Sequence, residues 1–457
     1  MKAINKKEEI KKRKARKESI KEGIFANANF ALGDAYISPF AIAINASNSL
    51  VALLSSVTGL LGPISQIFGS KSIKKYSRKK IVLKCVMMHT LSWLPIILIG
   101  ILFSLGIVTH ILPLALLIFF SLYTIFGNFF HPAWFSWMGD IVDEKYRGFW
   151  FSKRNLITGF ILVVLALTAS FVLDYFKKQN MTIIGFIVLF SLAMFCRLIS
   201  WKLFKKQYEP RLKFKKEDYF SFFEFVRNLP KTNFGRFTIF RGLFAFAISI
   251  SAPLVAVYLL RYLDFNYTIY ILITFAGTFF SLFFIELWGK FSDKYGNYKT
   301  IILTTIIIPI IPLLWLFNNS VLYLILIPST IGGIVWAGFI LASGNLIYDN
   351  VSPQKRGFAV SYFNMVVGIG IFLGAGLSAL LIKVLTIKII EPLLAIFIIG
   401  SLIRMVVVYV FLIKIREIRK TKKFKGVKSL KDIFLHETKP TLIEEANEIM
   451  HIKRYFK

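Results

Sequence analysis

Asp140-Ile-Val-Asp-Glu-Lys-Tyr-Arg147-Gly148-Phe149-Trp-Phe-Ser152-Lys-Arg-Asn155 returns 209 residues later as Asp349-Asn-Val-Ser-Pro-Gln-Lys-Arg356-Gly357-Phe358-Ala-Val-Ser361-Tyr-Phe-Asn364. The copies align without a gap and share seven of sixteen residues: Asp, Val, Arg, Gly, Phe, Ser and Asn. Identity at that level can arise by chance in a long chain, so position has to decide. Each copy follows the fourth apolar segment of its half and precedes the fifth. That placement marks a duplicated membrane chain with the same short loop written twice.

Three further pairs support the duplication. Ser38-Pro39 in the first segment echoes Ala252-Pro253 in the seventh, at an offset of 214. Arg197 and Arg404 each stand seven residues after a phenylalanine, Phe190 and Phe397. Tyr76-Ser77 corresponds to Tyr295-Gly296. Nearly constant offsets give both halves one topology, related by an axis along the membrane normal.

Composition agrees. Of 457 residues, 56% are hydrophobic, and the mean hydropathy of +0.65 excludes an ordinary water-facing surface. Apolar runs long enough to cross a bilayer fall at roughly 23–46, 49–69, 80–106, 110–139, 154–174, 181–204, 236–261, 267–288, 300–317, 321–348, 357–383 and 390–414. The expectation is an all-α integral membrane fold of twelve helices in two six-helix bundles. A basic cytoplasmic arm covers 1–22, the N-terminal bundle 23–204, a cytoplasmic linker 205–235, the C-terminal bundle 236–415 and a cytoplasmic tail 416–457.

The formal charge of +33 would suggest nucleic acid in a soluble protein. Its distribution argues otherwise. Lysine and arginine crowd the arm, the loops at 74–80 and 145–154, the stretch 202–241, the loop at 290–299 and the tail, leaving few on the other side. This bias puts both termini in the cytoplasm and excludes nucleic acid as a partner. Cys85 and Cys196 lie inside apolar segments and suggest neither a disulfide nor a metal site. The arm is too charged, and the first apolar run too long, for a cleaved signal peptide. In the linker, Tyr219-Phe-Ser-Phe-Phe-Glu-Phe reads as an interfacial helix, and Leu442, Ile443, Ala446, Ile449 and Met450 make a helical stripe in the tail.

Gly289-Lys-Phe-Ser-Asp293-Lys-Tyr-Gly296-Asn-Tyr-Lys299 resembles the signature loop of the major facilitator superfamily, Gly-x3-Asp-x2-Gly followed by basic residues. It lies where that family has it, between the second and third helices of a half. The resemblance extends over about 23–414, and Trp134-Phe-Ser-Trp137-Met-Gly-Asp140 and Asn233-Phe-Gly-Arg236-Phe resemble an uncharacterised microbial branch. In the first half the signature is eroded, with Ser70, Lys74 and Ser77 where Gly, Asp and Gly would stand, while Arg78-Lys79-Lys80 keep the basic end. The fifth segment lacks the Gly-Pro-x2-Gly-Gly run of the drug/proton antiporters, which lowers the weight of that mechanism.

The resemblance implies a secondary transporter that moves a small organic solute by alternating access, with the first, fourth, seventh and tenth helices lining a central cavity. In the first segment Asn27, Ala31, Asp34, Ser38, Ala41 and Asn45 recur at steps of three or four, sharing a helical face. A bare carboxylate at bilayer depth costs about 3 kcal/mol on insertion scales, so Asp34 is the candidate for substrate contact or for coupling to a proton or another ion. The alternative is a hydrogen-bonded structural aspartate. Tyr123, Gly127, His131, Trp134 and Met138 form a similar face in the fourth segment, with Trp336 and Ser343 a weaker one in the tenth. His89 sits on a helix that the family places outside the cavity.

Arg197 and Arg404 lie seven to ten residues inside their helices, deep enough to want a carboxylate. Asp140 and Asp349 are the expected partners, giving each half a gate network with the Arg147 or Arg356 loop and, in the second half, with Gly289, Asp293 and Gly296. The glycines at 368, 370, 374 and 376 are helix-packing residues rather than a dinucleotide fingerprint. No cofactor, metal site or enzyme chemistry is expected, and the partners are a small-molecule substrate and the bilayer around a monomer in the cell membrane. The competing function is a transport-inactive receptor or scaffold acting through its tails.

Overall fold

The computed structural model describes residues 2–142, 147–210, 221–351, 355–385 and 391–412, with 415–417, 421, 422, 424, 426 and 443. Every regular element among them is a helix. In hydrocarbon no water can satisfy a backbone N–H or C=O, so an apolar run of this length has to close its hydrogen bonds within itself.

Helix α1 covers Lys2–Leu32, turns through a 3₁₀ segment at Asp34–Tyr36 and resumes at Ile37–Ala43. There follow α2 (Asn48–Ser72), α3 (Arg78–Ser104), α4 (Leu112–Ile141), α5 (Arg147–Lys178) and α6 (Thr182–Lys206). After the short linker helix Phe222–Asn228 come α7 (Asn233–Tyr262), α8 (Tyr267–Tyr295), α9 (Asn297–Leu314), α10 (Val321–Asn350), α11 (Arg356–Val384) and α12 (Pro392–Phe411). Eleven of these are long and apolar enough to cross a membrane. The remaining one, α1, is continuous across position 22, so the basic arm and the first apolar segment form one helix. Ser19, Ile20 and Glu22, on the arm side of that boundary, are already buried.

Side-chain caps fix several starts. Ser77 accepts from the Lys80 N–H at α3, Thr232 from Gly235 at α7 and Asn266 from Ile269 at α8. At the end of α8, Gly296 has φ +102°, a left-handed value that a side chain would strain. The first helix of each half is interrupted, α1 at Asp34–Tyr36 and α7 at Ala252–Leu254, where Pro253 removes a donor.

Two compact units result. One comprises 1–46, 61–217 and 448–457, and the other 47–60 and 218–447. The start of α2 belongs with the second unit because it packs on α11: Ser49 and Ser56 donate to the Ala379 and Phe372 carbonyls at 2.9 and 2.8 Å. Within the second unit α7 and α11 approach at backbone distance. A Cβ at Gly370 would fall inside the contact radius of the Gly242 carbonyl, and one at Gly374 inside that of Phe246. Gly370 and Gly374 of α11 therefore serve helix packing.

The aromatic linker helix forms at Phe222–Asn228, with Phe225 buried against Tyr362 and Phe234 and Phe223 exposed. Its upstream part, and the tail stripe except Ile443, lie outside the described residues.

Candidate functional site

In the first unit a buried polar chain starts at the α1 break. Gly33 opens the helix there, and its Cα faces the Trp93 ring so closely that no side chain fits. The break presents Asp34, which is partly exposed. Its Oδ2 accepts from the Tyr123 hydroxyl at 2.6 Å and from Asn29 Nδ2 at 3.3 Å. Asn29 also donates to the Tyr123 oxygen at 2.9 Å and accepts from Trp93 Nε1 at 2.8 Å. One carboxylate is thus held by residues of α1, α3 and α4, in the manner expected of a charge at membrane depth.

The chain continues toward the Lys/Arg-rich end. The Tyr123 ring lies over His89, with centroids 3.8 Å apart. His89 Nδ1 accepts from Arg197 Nε at 3.0 Å. Arg197 also donates to Ser200 Oγ at 3.2 Å, and Ser200 donates to Glu22 Oε1 at 2.9 Å. Glu22 stands 3.9 Å from Arg197 and 3.3 Å from Arg154, whose guanidinium faces the Trp134 ring at 5.0 Å. Gly127 is required opposite His89, since a Cβ there would come within 2.8 Å of Nε2.

Several expectations need correction. The stripe on α1 is not continuous, because the 3₁₀ turn changes its phase. Asn27 bends back to the Gly23 carbonyl at 3.0 Å, Ser38 follows the break, and Asn45 lies beyond the helix with φ +60°. The face on α4 is divided at Phe130, where Pro132 begins a new helical piece. Tyr123 joins Asp34, Trp134 joins Arg154, and Met138 accepts from Ser19 at 3.3 Å. His131 is exposed and stacks on Phe130 at 5.4 Å, away from Asp34's hydrogen bonds.

The expected pairing of Asp140 with Arg197 and of Asp349 with Arg404 does not occur. Arg197 takes Glu22 instead, and Arg404 donates to the Ala247 and Ile248 carbonyls at 3.4 and 3.0 Å and to Ser251 Oγ at 2.6 Å. The second-half arginine thereby covers the carbonyl end left open where α7 breaks, a place that favours a cation.

Asp140 and Asp349 turn instead to the loops between the second and third helices of their halves. Asp140 Oδ2 meets Arg78 NH1 at 2.6 Å. Arg78 is fully buried and also reaches Glu209, the Ser136 carbonyl and the Pro210 carbonyl. In the second half Asp349 Oδ2 accepts from Asn297 Nδ2 at 2.7 Å, and Asn297 accepts from Ser292. Arg356 covers the end of α10 through the Val351 and Tyr348 carbonyls at 3.0 and 3.1 Å. The Arg147 side chain lies outside the described residues. Gly289 sits on α8 and Asp293 is exposed near its end. Gly296 is packed beneath Glu417 of the tail, which accepts from the Tyr298 N–H at 2.9 Å.

Three functional candidates are hard to see in the sequence. Glu22 lies within the basic arm, His89 is on a helix that the family places outside the cavity, and Arg241 ends the basic stretch 202–241. Glu22 carries a usable signal: among the arm's charges it is the acid that directly adjoins the first apolar run. In the second unit, on α10, Trp336 is partly buried and meets Phe244 of α7, and Ser343 is buried.

A helical, multi-pass membrane transporter is the class that this fold and its intramembrane charges define. Residues 23–241 and 237–443 each match the model of the Major Facilitator Superfamily, and the chain belongs to that family. Among curated proteins none matches it by sequence. Solved structures share the fold at low identity. A mutant of the nucleoside transporter NupG matches with a TM-score of 0.68 at 14% identity, covering 87% of this chain and 100% of that one. A bacterial homologue of the iron transporter ferroportin in its inward-facing state gives 0.64 at 12%, covering 88% and 98%. The human organic anion transporter MFSD10 gives 0.56 at 12%, covering 87% and 99%.

Proposed function

We propose that the chain is a secondary active transporter of the cell membrane, with both termini cytoplasmic, that moves a small organic solute by alternating access and couples it through Asp34. The observation that carries this reading is the hydrogen-bonded carboxylate at the α1 break, Asp34 with Tyr123, Asn29 and Trp93. Interrupted helices at membrane depth are where transporters of this kind build their ion and substrate sites.

As a carboxylate, Asp34 only accepts hydrogen bonds; once protonated it also donates. The gain of a proton on Oδ2 therefore lets Asp34 donate to the Tyr123 oxygen, with the Tyr123 hydroxyl turning away to a new acceptor. Tyr123 rests on His89, and His89 is held by Arg197, so the change reaches the Glu22 and Arg154 pair. The Arg78–Asp140 and Asn297–Asp349 contacts act as latches at the basic end, stabilising the outward-open state and parting when that end opens.

The test uses purified full-length protein in proteoliposomes, with the solute that most raises its melting temperature in a screen of small organic compounds. An imposed pH gradient should drive accumulation by the wild type. Asp34→Asn should abolish gradient-driven accumulation while retaining solute exchange at zero gradient. Undiminished accumulation in Asp34→Asn removes the coupling role. Absence of any flux in the wild type removes the transporter reading, and a cellular phenotype lost on deleting 416–457 alone would then mark a receptor or scaffold.

A further inference from the structure

Arg241 sits eight residues into α7, about 12 Å from its start at 1.5 Å per residue. It differs from the other arginines just described. Arg78, Arg154 and Arg197 face carboxylates, and Arg404 faces carbonyls and a hydroxyl. Arg241 makes no ion pair or hydrogen bond with any described residue, and its Nε is buried without a partner. What it does touch is aromatic: the guanidinium lies 4.5 Å from the Phe339 ring centroid and 6.0 Å from that of Phe363. Cation–π contacts of this kind recover part of the cost of removing a guanidinium from water, yet leave all five N–H donors unused.

The neighbouring helix brings a second unanswered group to the same level. Asn233 Nδ2 donates to Asn350 Oδ1 at 3.1 Å, which pins the start of α7 to the end of α10. From that pin Arg241 is eight residues along one helix and Ser343 seven residues back along the other, so their heights differ by about 2 Å. Ser343 is 5% exposed, and its Oγ is buried without a hydrogen-bond partner. Farther from the pin the two helices meet through aromatic rings. Phe244 lies 5.3 Å from Phe339 and 6.5 Å from Trp336.

A positive fork with free donors, a spare hydroxyl at its height and the partly exposed Trp336 ring on the same helix as that hydroxyl together have one complement. We infer that Arg241 and Ser343 bind the carboxylate of an organic anion whose apolar, ring-bearing body lies against the partly exposed Trp336. A carboxylate suits the planar fork bidentately, and it supplies the charge that the helices around Arg241 do not. This inference rests on the transporter reading and names its substrate class. It also gives the two halves separate work, coupling at Asp34 and anion recognition at Arg241.

Benzoate is the probe, with benzamide as its neutral isostere, and the readout is the melting temperature of the purified full-length protein in detergent. Benzoate should raise it in a saturable way while benzamide does not. Arg241→Gln should keep at least the wild-type melting temperature in the absence of ligand, because it removes an uncompensated charge, and should lose the benzoate response at least tenfold. Arg241→Lys, which keeps the charge without the fork, should respond several-fold more weakly than the wild type. Equal responses to benzoate and benzamide, no response to benzoate, or a benzoate response intact in Arg241→Gln would each overturn the site. So would a loss of ligand-free stability in both variants, which would make Arg241 a structural anchor. Binding is measured without flux, so the outcomes separate: anion-specific binding with no flux leaves the site standing and removes transport, and flux of a neutral solute does the reverse.

Discussion

Glu22→Gln isolates the electrostatic centre of the first unit with almost no change of shape. Glu22 is the only carboxylate within ion-pair distance of both Arg154 and Arg197 among the described residues, at 3.3 and 3.9 Å, and its side chain is 3% exposed. At an effective dielectric near 20 the two attractions are worth about 5 and about 4 kcal/mol before desolvation is charged against them. The amide would still accept from Ser200, but its NH2 would oppose a guanidinium. Two buried cations would then lack an anion. Orphaning a buried partner in this way costs about 3–5 kcal/mol, more than any loss of packing in a substitution that conserves volume. In detergent the expected fall in melting temperature is on the order of 10 °C. Glu22→Gln with Arg154→Gln should recover part of it, since one orphan is removed. A single variant within about 1 kcal/mol of the wild type in equilibrium unfolding would refute the reasoning, because it would mean that water already screens both arginines.

Two more outcomes follow from particular contacts. Gly370→Ala places a methyl against the Gly242 carbonyl, a backbone atom that cannot swing aside, so α7 and α11 must separate at a cost of about 1–3 kcal/mol; an unchanged unfolding midpoint would show that the helices have slack. Asp140→Asn combined with Asp349→Asn weakens both latches at the basic end. Amide hydrogen exchange at 76–80 and 293–299 should accelerate several-fold, and unchanged exchange would reduce the latches to static braces.

The tail and the linker show how local pattern and tertiary context divide the work. The aromatic run announced a helix, and one forms at Phe222–Asn228, yet its partners Tyr362 and Phe234 could not be read from its own composition. The described part of the tail lies on the signature loop: Glu417 accepts from Tyr298, and Phe424 packs on Phe291 and Tyr295. Asn233, quoted for its family resemblance, turns out to join Asn350 and the Arg416 backbone as well.

By itself the sequence determined the class, the number of segments, the duplication and the residue at the centre of the coupling proposal. These follow from hydropathy, from repeated spacing and from the cost of a charge in hydrocarbon, all of which act along the chain. Which charge answers which was decided only by the tertiary structure. Asp140 and Arg197 are equally good partners on paper, but the packing of the unbroken part of α1 along α6 brings Glu22 to Arg197 and leaves Asp140 for Arg78. Ion pairing depends on a few ångströms between helices far apart in sequence, and helical period does not encode that distance. Arg241 shows the same limit: in the sequence it is one basic residue among many, and only the helices around it reveal that no described residue answers its charge.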